Sequence, residues 1–93
     1  MRKVNEQLIA LETMEDLQGL AVGTRVEDVD AGHYYIVEED GLHAHYEDYY
    51  EHRDLGLYTW EVLAVEQDYI DGWLYLGEFE DAEEDYYDPY GEY

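Results

Sequence analysis

No basic residue follows Arg53. The last forty residues carry thirteen acids and nothing of opposite sign, while residues 1–53 carry thirteen acids against Arg2, Lys3, Arg25 and Arg53. This imbalance constrains the fold before any pattern is read. A surface lattice of ion pairs is out of reach for such a chain, and self-repulsion opposes its compaction. The core must come from apolar side chains alone. The acids must stand outside it, facing solvent, ions or a basic partner.

The apolar side chains are present. Of 93 residues, 16% are aromatic, with Tyr 12, Trp 2 and Phe 1. Acidic disordered chains are poor in such residues, so the composition predicts a folded domain. The domain is small. Chains of this length bury roughly 60–65% of their unfolded surface and have little stability to spare. A formal charge of −22 is costly on that margin, so its reason should lie outside the fold.

The same charge excludes some functions. Direct nucleic-acid binding through a basic patch needs Lys and Arg to neutralise phosphates. Anionic membrane surfaces would repel the chain. The absence of cysteine excludes a disulfide framework, a thiolate nucleophile and a thiolate metal site. No apolar run approaches the ~20 residues of a membrane span. Polar Asn5, Glu6 and Gln7 stand where a signal peptide requires an apolar stretch. The expectation is a soluble, cytoplasmic protein.

Along the chain, Val4, Leu8, Leu11, Met14 and Leu17 recur at three- and four-residue spacing, which predicts a helix over 4–18. Thr13 with Asp16 could instead act as a local cap and split that segment, and Gly19 is a plausible stop. From Gly23 the pattern changes to strands and turns. Strands are expected over 24–29, 33–38, 42–46, 57–65 and 69–79, with a hairpin turn at Glu39-Asp40-Gly41. Residues 47–55 read as a loop or one or two helical turns. Asp71-Gly72 marks a bulge or a shift in strand start. The fold class expected is mainly β with one N-terminal helix: a small bent antiparallel sheet, or an open barrel of the SH3 or OB kind, of about five strands. Residues 1–79 form that single domain. Residues 80–93, without an aliphatic side chain longer than alanine, form an acidic, Tyr-rich tail expected to be mobile in isolation.

Spacing gives the charge a meaning. Residues two apart on a strand lie about 6.6 Å apart on one side. Successive phosphates on one DNA strand advance about 3.4 Å along the duplex. Carboxylates at alternate strand positions can therefore present a phosphate-like row. Candidate rows are Glu38 with Asp40, Glu66 with Asp68, Glu78 with Glu80, and Asp81 with Glu83 and Asp85. Tyrosines interleave with acids in two runs, Tyr46–Glu51 and Glu84–Asp88. Tyrosine offers a large rigid contact area, is common at the energetic centres of interfaces, and can lie against arginine planes. The partner-binding residues expected on this ground are Glu47, Asp48, Tyr49, Tyr50, Glu51, Glu78, Glu80, Asp81, Glu83, Glu84, Asp85, Tyr86 and Tyr87. Tyr34, Tyr35, Tyr58, Tyr69 and Tyr75 are expected in the core or lining a barrel.

Other chemistry is weaker. His43 and His45, two apart on a strand, could bind a metal with Glu47, but a ligand-free surface pair is the expectation. Asp28 to Glu39 has some calcium-loop acids, yet Gly32 and His33 fall at the wrong places, and a hairpin turn explains the same residues. The chain has no serine and no Gly-rich phosphate loop. No enzymatic activity and no cofactor are expected.

Small size, extreme acidity and high aromatic content together resemble the DNA-mimic proteins of bacteriophages and mobile elements. That group includes anti-restriction and anti-CRISPR proteins, glycosylase inhibitors and nucleoid-protein inhibitors. Separately, the stretch from Thr13 to Asp28 with its Val22-Gly23-Thr24 turn is similar to the opening of small β-barrel proteins of actinobacterial phages. The resemblance to DNA mimics implies an inhibitor that occupies the nucleic-acid site of a basic host protein, in the host cytoplasm; the barrel resemblance implies no activity. The alternatives are a small acidic domain from a salt-loving organism, and a phage virion or assembly component.

Overall fold

The computed structural model describes residues 1–77, the side chain of Gln67 excepted. The described residues form one antiparallel sheet of seven strands, with two short helices. The strands are β1 (Arg2–Asn5), β2 (Leu8–Ala10), β3 (Arg25–Asp28), β4 (His33–Glu38), β5 (Gly41–Glu47), β6 (His52–Thr59) and β7 (Leu74–Gly77). The helices are α1 (Met14–Gln18) and α2 (Trp60–Val65), followed by a 3₁₀ turn over Gln67–Tyr69. Strand order is β1-β2-β7-β3-β4-β5-β6, so β7 returns to join the N-terminal hairpin to the β3–β6 meander.

The expectation of one helix over 4–18, and of about five strands, is corrected. Asn5 accepts the backbone N–H of Gln7 at 2.7 Å through its side chain, which turns the chain between β1 and β2. β2 then pairs with β7. The helix starts only at Met14, because Thr13 and Asp16 form a reciprocal capping box. The Asp16 carboxylate also accepts the N–H of Glu12 at 2.9 Å and the N-terminal ammonium at 2.9 Å. These donors, the ammonium foremost, hold the Asp16 carboxyl below its ordinary range. The apolar spacing marked buried residues correctly for Leu8, Leu11, Met14 and Leu17, but Val4 is exposed.

Two further strands differ from expectation. Residues 57–65 divide at Thr59. That residue pairs with Gly41, the first residue of β5, and beyond it a last backbone bond runs from the Trp60 N–H to the Asp40 carbonyl in the hairpin turn. Thr59 then caps α2, accepting the Val62 N–H, and the Trp60 indole donates to the Glu39 carbonyl at 2.8 Å. Residues 70–73 are a turn. The N–H groups of Trp73 and Leu74 both donate to the Ile70 carbonyl, so Asp71-Gly72 marks a later strand start. The β4–β5 hairpin stands where Glu39-Asp40-Gly41 placed it. A Cβ at Gly41 would run into the Tyr58 carbonyl across the sheet, so this position admits only glycine.

Both helices lie on one face of the sheet. Met14 and Leu17 from α1, Leu63 from α2, Leu11 and Ile70 close a core with Val26, Val37, Leu42 and Leu74. Tyr35, Trp60, Tyr69 and Leu76 pack against its edge. The opposite face of β4, β5 and β6, and the tip of the β5–β6 hairpin, are left to other work.

Candidate interaction surface

The hairpin tip carries the first acid–tyrosine run. Glu47 at the end of β5 pairs with His52 at the start of β6, and Asp48 builds the connection between them. One Asp48 oxygen accepts the backbone N–H groups of Tyr50 and Glu51, each at 2.8 Å, and the other accepts the Tyr46 hydroxyl at 2.9 Å. These bonds, the one from Glu51 foremost, hold the Asp48 carboxyl below its ordinary range. Of residues 47–55, expected as a loop or helical turns, only 48–51 form the connection; Glu47 ends β5 and residues 52–55 begin β6.

That turn turns two rings outward. Tyr49 is 92% exposed and Tyr50 88% exposed, and they meet edge to face at 5.1 Å. Glu47 and Glu51 are exposed beside them. Arg53 pairs with Glu51 at 3.4 Å and lies over the Tyr46 ring. Asp48 shapes the tip, while Glu47 and the Arg53-paired Glu51 stand exposed beside the two rings.

Of the other expected site residues, Glu78, Glu80, Asp81, Glu83, Glu84, Asp85, Tyr86 and Tyr87 lie outside the described residues, as does the tail over 80–93. Two of the candidate carboxylate rows are corrected. Glu38 ends β4 while Asp40 sits in the turn, and Glu66 caps the end of α2 while Asp68 lies in the 3₁₀ turn. Neither pair occupies alternate positions of a strand. Tyr34 is buried, and Tyr35, Tyr69 and Tyr75 are partly buried, as expected; Tyr58 is 43% exposed and does not belong with them.

The acid excess stays uncompensated on this surface. Thirteen of the eighteen acids in residues 1–77 are exposed. Among the described residues, the arginines and the amino terminus pair with Glu12, Asp16, Glu27 and Glu51 alone. Lys3 has no acidic partner among the described residues. The exposed carboxylates are spread over turns, helices and strand ends of the described fold, from Glu6 and Glu15 to Asp68 and Asp71.

Sequence reasoning missed a second feature, on the face of the sheet away from the helices. His43 and His45 were legible as neighbours, but only the register of β6 adds His52 to them. The His43 and His45 rings stack at 4.9 Å, His45 meets His52 at 5.4 Å, and Tyr34 stacks on His45 at 5.1 Å. The Arg25 guanidinium covers the other side of Tyr34 at 3.7 Å. The Tyr34 hydroxyl lies 3.2 Å from His52 Nε2. His43 sits between two carboxylates, with Nε2 2.6 Å from Asp54 and Nδ1 3.1 Å from Glu38. Asp54 chiefly, with Glu38, raises the His43 pKa above the ordinary histidine value. No group of three or more His, Asp or Glu side chains among the described residues is arranged to hold a metal. Among the described residues, no helix is long and apolar enough to cross a membrane. Asp28, the first acid of the pattern that falls short of a calcium loop, is buried and accepts the hydroxyls of Tyr35 and Tyr69 and the N–H of Asp30.

Compared with protein-family models, curated proteins and solved structures, the chain matches none.

Proposed function

We propose that this protein is a DNA mimic, a non-catalytic inhibitor that occupies the nucleic-acid-binding site of a basic host protein. Its carboxylates stand in for phosphates and no cofactor takes part. The observation that carries this reading is the hairpin tip, where Tyr49 and Tyr50 are almost fully exposed between the carboxylates of Glu47 and Glu51. Exposed aromatic rings do nothing for solubility, and they suit a contact with arginine planes. The partner is a basic DNA- or RNA-handling protein. The sequence of residues 78–87 repeats the same mixture of acids and tyrosines. Anti-restriction and anti-CRISPR activity are the forms this inhibition would take in a phage protein.

The test is capture from a nuclease-treated bacterial lysate on the immobilised full chain, followed by washes with duplex DNA and with rising salt. Release of a nucleic-acid-binding protein by DNA, and by a few hundred millimolar salt, supports the reading. Retention of that protein through both washes overturns it, as does unchanged capture by a chain with Glu47, Glu51 and the acids of 78–85 reversed to lysine.

A second reading is favoured by the spread of exposed acids over turns, helices and strand ends. That spread suits a domain solvated for high salt. Under this reading the chain unfolds at low ionic strength and refolds at molar salt. A chain that stays folded at tens of millimolar salt excludes it.

A further inference from the structure

A cavity of about 230 Å³ lies between α2 and the sheet, lined by Tyr35, Tyr58, Val62, Leu63, Glu66 and Tyr69. It is below the roughly 300–1,000 Å³ of sites for drug-sized ligands and suits a single side chain. Three of its six lining residues are phenol rings. Behind it lies Asp28, a carboxylate only 4% exposed. No arginine, lysine or amino group pairs with Asp28 among the described residues. Its partners are the Tyr35 hydroxyl at 3.1 Å, the Tyr69 hydroxyl and a backbone N–H.

The hydrogen bonding decides what the cavity can take. Each tyrosine has one hydroxyl proton, and those of Tyr35 and Tyr69 are used up within the trio, since both hydroxyls bond Asp28 and each other. Burial, with the neighbouring carboxylate, holds these protons in place, pushing Tyr35 up to about 12 and Tyr69 further. The two hydroxyls lie 3.1 Å apart and bond each other, either one donating, so neither has a proton to spare for the cavity. The ring faces are acceptors of positive charge, and Glu66 adds a carboxylate. An anion or a carbonyl finds no inner donor here. A cation rich in donors fits.

We propose that this cavity receives the guanidinium of an arginine side chain from the basic partner. Guanidinium is preferred over ammonium because it is planar, stacks on aromatic faces and is more weakly hydrated. The buried, unneutralised Asp28 supplies the complementary charge through the two hydroxyls. Only the source of the arginine rests on the DNA-mimic reading; the cavity's chemistry stands without it.

The test is an NMR titration of the full chain at 150 mM NaCl with N-acetyl-arginine amide, read on the tyrosine ring signals. Its neutral isostere, N-acetyl-citrulline amide, is the control. Saturable shifts at Tyr35, Tyr58 and Tyr69 with the arginine probe, at least tenfold weaker with citrulline, are expected. Tyr58→Ala alters an exposed ring and should weaken the arginine probe about threefold or more, and Glu66→Gln should weaken it less. Equal response to both probes, non-saturating shifts spread over the acidic surface, or an undiminished response in Tyr58→Ala overturns the proposal. The two readings fail separately. Probe binding without any DNA-displaceable partner leaves the cavity and removes the mimic. A DNA-displaceable partner held equally by Tyr58→Ala leaves the mimic and removes the arginine site.

Discussion

The helix-covered face of the sheet and the β5–β6 hairpin tip are built on opposite principles. Under the helices, Leu11, Leu17, Leu42, Ile70 and Leu74 are fully buried, and Asp28 is the one buried charge among the described residues. At the tip, Tyr49 and Tyr50 stand in solvent among exposed acids, and the turn is held by hydrogen bonds to Asp48. The apolar core lies where charge is nearly absent, and at the tip the exposed rings and the Glu47 and Glu51 side chains add nothing to that core. The two regions should therefore respond independently to substitution.

The largest expected effect is in the core. Leu17→Ala removes a fully buried side chain beneath α1 and should cost about 2–5 kcal/mol, read from urea unfolding. In a domain with so little reserve this brings much of the population to the unfolded state. A cost below about 1 kcal/mol would break the contrast, since the core would then not carry the fold.

The next effect should be seen in binding alone. Glu47→Lys with Glu51→Lys should weaken the complex with the basic partner by about tenfold or more, while the urea midpoint stays level or rises as repulsion is relieved. A fall in midpoint comparable to that of Leu17→Ala would show that the tip is structural after all.

Thr13→Ala tests the N-terminal boundary. Loss of the capping box should cost about 1 kcal/mol and fray α1, with no change in partner binding. The smallest effect is titration of the histidine face. His43 has a raised pKa and Asp54, paired with it, a lowered one. The His43 contribution to stability is complete below the ordinary histidine pKa and fades as pH rises through the raised value. The Asp54 contribution is complete above the ordinary carboxylate pKa and fades as pH falls through the lowered one. The pair thus acts across the mildly acidic range. By NMR, Asp54→Asn should move the His43 midpoint down, toward its ordinary value; an unmoved midpoint would show that the Asp54 bond does not form in solution.

The meander of β3, β4 and β5 was legible because strand-forming residues and an Asp-Gly turn act locally. The N-terminal segment was not. Leu8, Leu11, Met14 and Leu17 satisfy helical spacing, yet Leu8 is buried by pairing with the distant β7, which no local pattern reports. The Thr13–Asp16 cap was the local signal that limited the helix. Residues 57–65 are rich in strand formers, but their pairing ends where β5 begins, a fact of register. The exposed tyrosines at the tip were legible from the lack of aliphatic neighbours. The arginine cavity was not, since its walls come from β4, β6, α2 and the 3₁₀ turn.

The most direct test of the central claim uses the captured partner bound to a fluorescently labelled DNA duplex, with the unlabelled chain added in increasing amount. If the acidic surface takes the place of nucleic acid, labelled DNA is released stoichiometrically, and the anisotropy falls to that of free duplex. If the chain binds while the DNA stays in place, giving a three-component complex, the carboxylates are not substituting for phosphates.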